Sequence, residues 1–170
     1  MTLANYVTLA RIALIPLVIL FLLGRVNGLA AVFFLVLSFS DAIDGYIARR
    51  LNQVSELGKI LDPIADKILV ITVLIALVGL QKADPVPVMI LLVREFLVQG
   101  VRISASQEKK VIAAIPLAKW KTAAHVLAVF MLILSLPLAN LALWISVILS
   151  LVSGGVYAWR SKILKQLKLS

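Results

Sequence analysis

The stretch that decides the fold runs from Ser40 to Lys67, SDAIDGYIARRLNQVSELGKILDPIADK. The chain has eight acidic residues in all, and four are aspartates inside this window: Asp41, Asp44, Asp62 and Asp66. The first pair is three apart and the second four apart, so on helices each pair shares one face. At roughly 100° per residue, Asp41, Asp44, Gly45 and Ala48 fall on one arc, and Gly58, Asp62 and Asp66 on another. Two such helices can converge on one pocket. Four carboxylates there repel one another unless cations neutralise them. All-oxygen donors favour a hard ion, Mg²⁺ or Mn²⁺, over zinc. Glycine and alanine on the same arcs let a flat or bulky ligand approach the backbone. Helix caps or a solvated loop would account for one or two of the aspartates, but not for four on the inward arcs of two apolar helices.

Composition says where this pocket sits. The 170 residues are 62% hydrophobic and mean hydropathy is +1.09, which excludes an ordinary soluble domain. The expectation is a single membrane-embedded helical domain over residues 1–170, with its motif at 41–66. The absence of cysteine removes disulfides, thiolate metal sites and a cysteine nucleophile. A net charge of +9 can signal nucleic acid, but no soluble basic domain or aromatic stacking platform accompanies it. In a membrane chain, orientation and anionic head groups explain the excess.

Read in order, the chain predicts six spans. Met1–Leu23 opens with the amphipathic piece TLANYVTLARI and continues into IALIPLVILFLL. Cleavage as a signal peptide is disfavoured, because no basic residue precedes Arg11 and further apolar spans follow. Asn5, Thr8 and Arg11 recur every three residues and share a face; a snorkelling interfacial Arg11 is the plainer alternative. The remaining spans are expected at about 29–50, 58–80, 86–104, 122–136 and 138–159, with SQEKKVIAAIPLAKWK as a basic connection between the fourth and fifth. Pro63, next to Asp62, removes one backbone donor and frees a carbonyl near the acidic pocket.

With six spans the connections alternate sides. Fourteen of the 17 basic residues then fall on one side, Arg25 and Lys82 on the other, and Arg94 within the fourth span. The positive-inside rule places both termini and the aspartates in the cytoplasm, at the membrane boundary. There a lipid and a soluble metabolite both have access, and a pyrophosphate-containing lipid suits two cations.

The residues Asp41, Asp44, Gly45, Ala48, Arg49, Gly58, Asp62 and Asp66 match, at every fixed position and spacing, the pattern D-x2-D-G-x2-A-R-x8-G-x3-D-x3-D of the CDP-alcohol phosphotransferases. The resemblance implies that family's fold, an all-α integral membrane enzyme of six transmembrane helices with an N-terminal amphipathic segment, usually dimeric. It implies two divalent metal ions and transfer of a phosphatidyl or related group from a CDP-alcohol, with release of CMP. Carried over by position, Asp41, Asp44, Asp62 and Asp66 look like metal ligands, and Asp66 like the base that takes the acceptor's proton. Asp41, Asp44, Gly45, Ala48, Arg49, Gly58 and Asp62 resemble the CDP-binding set.

Three further segments, LANYVTLARI, VREFLVQGVR and KWKTA, resemble the branch of the family that uses CDP-diacylglycerol and glycerol 3-phosphate, giving phosphatidylglycerophosphate and CMP at the inner membrane. Ala118 departs from that branch, which tends to have glycine before the lysine of KWKT. Candidates for the acceptor's phosphate are Arg11, Arg102, Lys109, Lys110, Lys119 and Lys121, with Asn5, Thr8 and Glu95 as polar neighbours. Glu95 deep in a span needs a partner; a buried network with Arg94 or Arg102 competes with a direct substrate role. His125, the only histidine, reads as packed within the bundle. Gly154-Gly155 suggests close helix approach, or a dimer contact. The alternatives are a sibling enzyme using inositol phosphate, serine or another alcohol, and a divalent-cation transporter. A prenyltransferase would need a larger bundle.

Overall fold

The computed structural model describes the backbone of residues 3–50, 56–107 and 116–160, and the side chains of 9–40, 67–100 and 120–156. Six helices make up the described chain: α1 Leu3–Leu23, α2 Asn27–Arg50, α3 Glu56–Gly79, α4 Pro85–Gln107, α5 Pro116–Ile133 and α6 Ala139–Arg160. All six predicted helical segments are present. One boundary is corrected: Pro116–Lys121, expected in a loop, is the first part of α5. A proline at the first helical position has no amide to leave unsatisfied and its φ suits a helix, so Pro116 starts α5 early. The N-terminal amphipathic piece is not a separate element; it is continuous with α1, which runs through Pro16.

By length and composition, the one described stretch that meets the requirement for crossing a bilayer is Ala139–Val156 in α6, 18 residues of mean hydropathy 1.8. The apolar stretches Leu9–Leu23, Asn27–Ser40, Lys67–Gly79 and Trp120–Ile133 are shorter.

The chain divides into two compact units, Met1–Ala83 with Val129–Ala139, and Asp84–Ala128 with Asn140–Ser170. In the first, α1 packs against both α2 and α3, which touch each other more sparingly. Arg11, Ile15, Val18 and Leu22 form the buried stripe of α1, Ala30, Phe34 and Leu37 that of α2, and Leu69, Val73 and Leu77 that of α3. Each repeats at three or four residues, the spacing of one helix face. The opposite faces are also apolar: Leu20, Val32, Val36, Phe39 and Ile75 are exposed. Helices apolar on both faces suit a lipid surround, where close packing rather than escape from water holds neighbours together.

Helices α1, α3 and α5 end alike. Val26 N–H bonds the Phe21 carbonyl at 2.9 Å, Lys82 that of Leu77 at 2.9 Å and Leu136 that of Met131 at 2.9 Å. The preceding residues, Arg25, Gln81 and Ser135, are left-handed with φ of 58°, 57° and 55°. This is the Schellman cap, which satisfies terminal carbonyls and is usually built on glycine. Lys82 fastens these ends together, donating to Asn27 Oδ1 at 2.8 Å and to the Ile133 carbonyl at 3.1 Å.

In the second unit, Asp84 caps α4: its Oδ1 accepts from Val86 N–H at 3.0 Å. Such a cap contributes about 1 kcal/mol. Asn140, at the start of α6, accepts from Asp84 N–H at 3.0 Å. The buried residues of this unit are small or polar to an unusual degree. Ser146, Ser150 and Ser153 line α6, Arg94 lies on α4 and His125 on α5. Ser146 satisfies itself by donating to the Leu143 carbonyl one turn back, at 2.7 Å.

Candidate functional site

The motif's helical premise holds in the backbone. Asp41, Asp44, Gly45, Ala48 and Arg49 lie in the last part of α2. Gly58, Asp62 and Asp66 lie in the first half of α3. The three- and four-residue spacings therefore fall on helices, in one unit, on two elements that touch. The side chains of all eight lie outside the described residues, as does the connection 51–55. Among the described side chains no three acidic or histidine groups gather to hold a metal. The motif's donor set on these two helices is four carboxylates and nothing softer. Its chemistry fits hard divalent cations.

Of the other candidates, Arg11 is only 3% exposed, on the packed stripe of α1 with Ile15 and Val18. That burial overturns the snorkelling alternative, because a guanidinium reaching for an interface would be open. Asn5, Thr8, Arg102 and Lys119 sit on described helix backbone with side chains outside the described set, and Lys109 and Lys110 lie outside the described residues altogether.

A charged cluster of described side chains lies in the second unit. Glu95 Oε1 accepts from Arg94 Nη1 at 2.7 Å and from Lys121 Nζ. All three side chains are largely buried, at 9%, 14% and 14% exposure for Arg94, Glu95 and Lys121. The expected network between Glu95 and Arg94 is thus present, and Lys121 joins it from α5. His125, one turn beyond Lys121, is buried beside the cluster, and its Nε2 has no hydrogen-bond partner. One carboxylate thus bridges two cations in a poorly solvated place.

Sequence reasoning missed how α6 enters this cluster. A Cβ at Gly154 would lie 2.9 Å from Arg94 Nε, whereas one at Gly155 would meet nothing within 4 Å. The Gly-Gly pair was the available signal; which glycine matters, and to which residue, needed the fold.

Comparison with known proteins bears on both regions. The family model for CDP-alcohol phosphatidyltransferase matches residues 1–152. The CDP-diacylglycerol–glycerol-3-phosphate 3-phosphatidyltransferase of Bacillus subtilis strain 168 is 42% identical, over 91% of this chain and 92% of that protein. The protein of the same name from Rickettsia bellii strain RML369-C is 40% identical, over 91% and 92% of the two chains. A cardiolipin synthase (CMP-forming) of Oryza sativa subsp. japonica is 33% identical over 94% of this chain but 55% of its own length.

Proposed function

The chain belongs to the CDP-alcohol phosphatidyltransferase family, and from that membership we propose that it transfers the phosphatidyl group of CDP-diacylglycerol to sn-glycerol 3-phosphate, giving phosphatidylglycerophosphate and CMP. The observation that carries this reading is similarity over nine-tenths of both chains to enzymes so named. The complete eight-position motif on α2 and α3 supports it.

In this reading Asp41, Asp44, Asp62 and Asp66 hold two divalent ions, Mg²⁺ or Mn²⁺. When bound, these ions neutralise the pyrophosphate and stabilise the charge on the departing CMP. Gly45 and Ala48 leave room for the cytidine nucleotide, Gly58 permits close packing there, and Arg49 completes the nucleotide site. Asp66 takes the proton from the acceptor hydroxyl as its oxygen bonds the phosphatidyl phosphorus and the bond to CMP breaks. Positioning and charge neutralisation supply most of what such an in-line displacement needs. Arg11, Arg102, Lys109, Lys110, Lys119 and Lys121 are the cations offered to the acceptor's phosphate. Among them, Lys121 is held by Glu95.

The proposed setting is one catalytic domain spanning residues 1–170 that crosses the inner membrane six times, with both termini and the motif on the cytoplasmic side, and pairs as a homodimer. The six helices have 21, 24, 24, 23, 18 and 22 residues. At 1.5 Å per residue they are roughly 27–36 Å long, close to the ~30 Å of a hydrocarbon core. The cardiolipin synthase relative favours a second reading, in which the acceptor is a different alcohol.

The test is CMP release by the purified protein from CDP-diacylglycerol and Mg²⁺, with glycerol 3-phosphate supplied or withheld. Release that depends on glycerol 3-phosphate is the expected result. Release only with another alcohol keeps the family and discards this acceptor, and none with any acceptor points instead to cation transport.

A further inference from the structure

We propose that Gly154 is a positioning residue for the acceptor side of the reaction: it leaves the recess in α6 that seats the Arg94 guanidinium, and Arg94 in turn holds Glu95 and Lys121. Gly154 lies beyond residue 152, where the family match ends. The proposal rests on the preceding reading of Lys121 as a group that meets the acceptor's phosphate.

The geometry is specific to one edge of the guanidinium. Arg94 Nη1 is engaged by Glu95 at 2.7 Å. The opposite edge lies on α6, so that a Cβ at Gly154 would stand 2.9 Å from Nε, 3.2 Å from Nη2 and 3.4 Å from Cζ. A methyl group there meets the flat ion along its length rather than at a mobile tip. Arg94 is 8% exposed and its Nε has no hydrogen-bond partner among the described residues. The simplest escape from an alanine at 154 is a tilt of the guanidinium, which loosens Nη1 from Glu95. Glu95 also holds Lys121 through the same oxygen, Oε1. A displacement begun on α6 therefore reaches Lys121 on α5 through two bonded contacts.

Gly155 supplies the internal control. It is adjacent on the same helix, and a Cβ there meets nothing within 4 Å. Any general cost of replacing glycine in α6 falls on both positions, whereas the effect on Arg94 falls on Gly154 alone.

The experiment compares native protein, Gly154→Ala, Gly155→Ala, Arg94→Lys and the double variant Gly154→Ala with Arg94→Lys in the CMP-release assay. Gly154→Ala is expected to raise KM for glycerol 3-phosphate about tenfold, with kcat and the KM for CDP-diacylglycerol within about twofold of native. Gly155→Ala should match native protein. Lysine has no guanidinium edge to collide, so on the Arg94→Lys background the added alanine should change the acceptor KM less than about twofold. Equal acceptor KM values for the two single alanine variants would overturn the proposal. So would an alanine effect of the same size on both backgrounds. Should Gly154→Ala alone lose its fold, the double variant must regain it, and failure to do so counts against the recess in the same way. Native protein that releases no CMP with glycerol 3-phosphate defeats the functional reading instead, and that outcome is visible before any variant is compared.

Discussion

The two charged regions of this chain differ in how they are written. The aspartates of α2 and α3 are encoded locally, as pairs three and four residues apart. Each pair is aligned by a single helix, whatever the rest of the chain does. The cluster in the second unit draws one or two residues from each of three helices: Arg94 and Glu95 from α4, Lys121 from α5, and Gly154 from α6. Its members are up to 60 positions apart, and only packing brings them together. The first region carries the proposed chemistry, while the second sets the position of one cation. A change in the first should stop the reaction, and a change in the second should shift affinity or stability.

The largest effect is expected at Asp66. Asp66→Asn keeps the size of the side chain but removes its ability to take a proton. CMP release should fall by at least about a thousandfold, with binding of the CDP-lipid retained. Substantial turnover in that variant would remove Asp66 from its role as base. Chelation with EDTA should be as severe, and added Mg²⁺ or Mn²⁺ should restore the rate.

Glu95 comes next. Glu95→Ala leaves Arg94 and Lys121 buried with one shared carboxylate gone, and stripping one partner from such a network costs about 3 kcal/mol. Thermal denaturation in detergent should show a clear loss of Tm, and Glu95→Gln, which keeps an acceptor oxygen, should lose less. If the two variants are equally stable, the negative charge of Glu95 is not what holds the cluster.

What was legible in the sequence follows the same division. The six helices were visible because each is a long apolar run bounded by charge, proline or glycine. The start of α5 was misread because Lys119 and Lys121 look like a solvent loop, although Pro116 is a good first residue for a helix. Glu95's need for a partner was legible from its depth in an apolar segment, and Arg94 was one of the named partners. Gly154 is legible as a place of close helix approach, but not the residue that approaches it. A glycine records that a side chain is missing, not what occupies the space, and here the occupant is 60 residues away in the chain. Arg11 was ambiguous for a related reason: its face with Asn5 and Thr8 looked polar, yet the same helix buries Arg11 with Ile15 and Val18.

Lys82 should give a smaller and pH-dependent effect. It bonds Asn27 and the Ile133 carbonyl across the ends of three helices. Burial, and then the nearby Arg25, hold its ammonium below the usual lysine value of 10.5. A lowered value means the folded state penalises the charged form. The penalty is full at neutral pH and is relieved as pH rises through the folded value towards 10.5, so Lys82 adds stability over that alkaline window. Lys82→Met should lower Tm at pH 7, by the loss of two charge-assisted bonds worth about 1–3 kcal/mol partly offset by relief of that penalty. It should also flatten the alkaline rise. A native protein whose stability has no such rise, or a variant that keeps it, would locate the titration elsewhere.

The smallest effect has the opposite sign and concerns glycines that are absent. Gln81 and Ser135 are exposed and left-handed at the caps of α3 and α5, with φ of 57° and 55°. The hydrogen bonds of both caps are made by backbone groups, so they survive any change of side chain. Glycine relieves the strain of a Cβ in this conformation but gives the unfolded chain more freedom, and the first term is the larger. Gln81→Gly and Ser135→Gly should each stabilise by about 0.5 kcal/mol, and the pair by about 1 kcal/mol, read as a small rise in Tm. Neither should alter the acceptor KM, whereas Gly154→Ala should raise it. The two kinds of glycine substitution thus separate the backbone's need for space from the charged cluster's. If the cap variants moved the acceptor KM and Gly154→Ala did not, the division of labour between the two regions would be reversed.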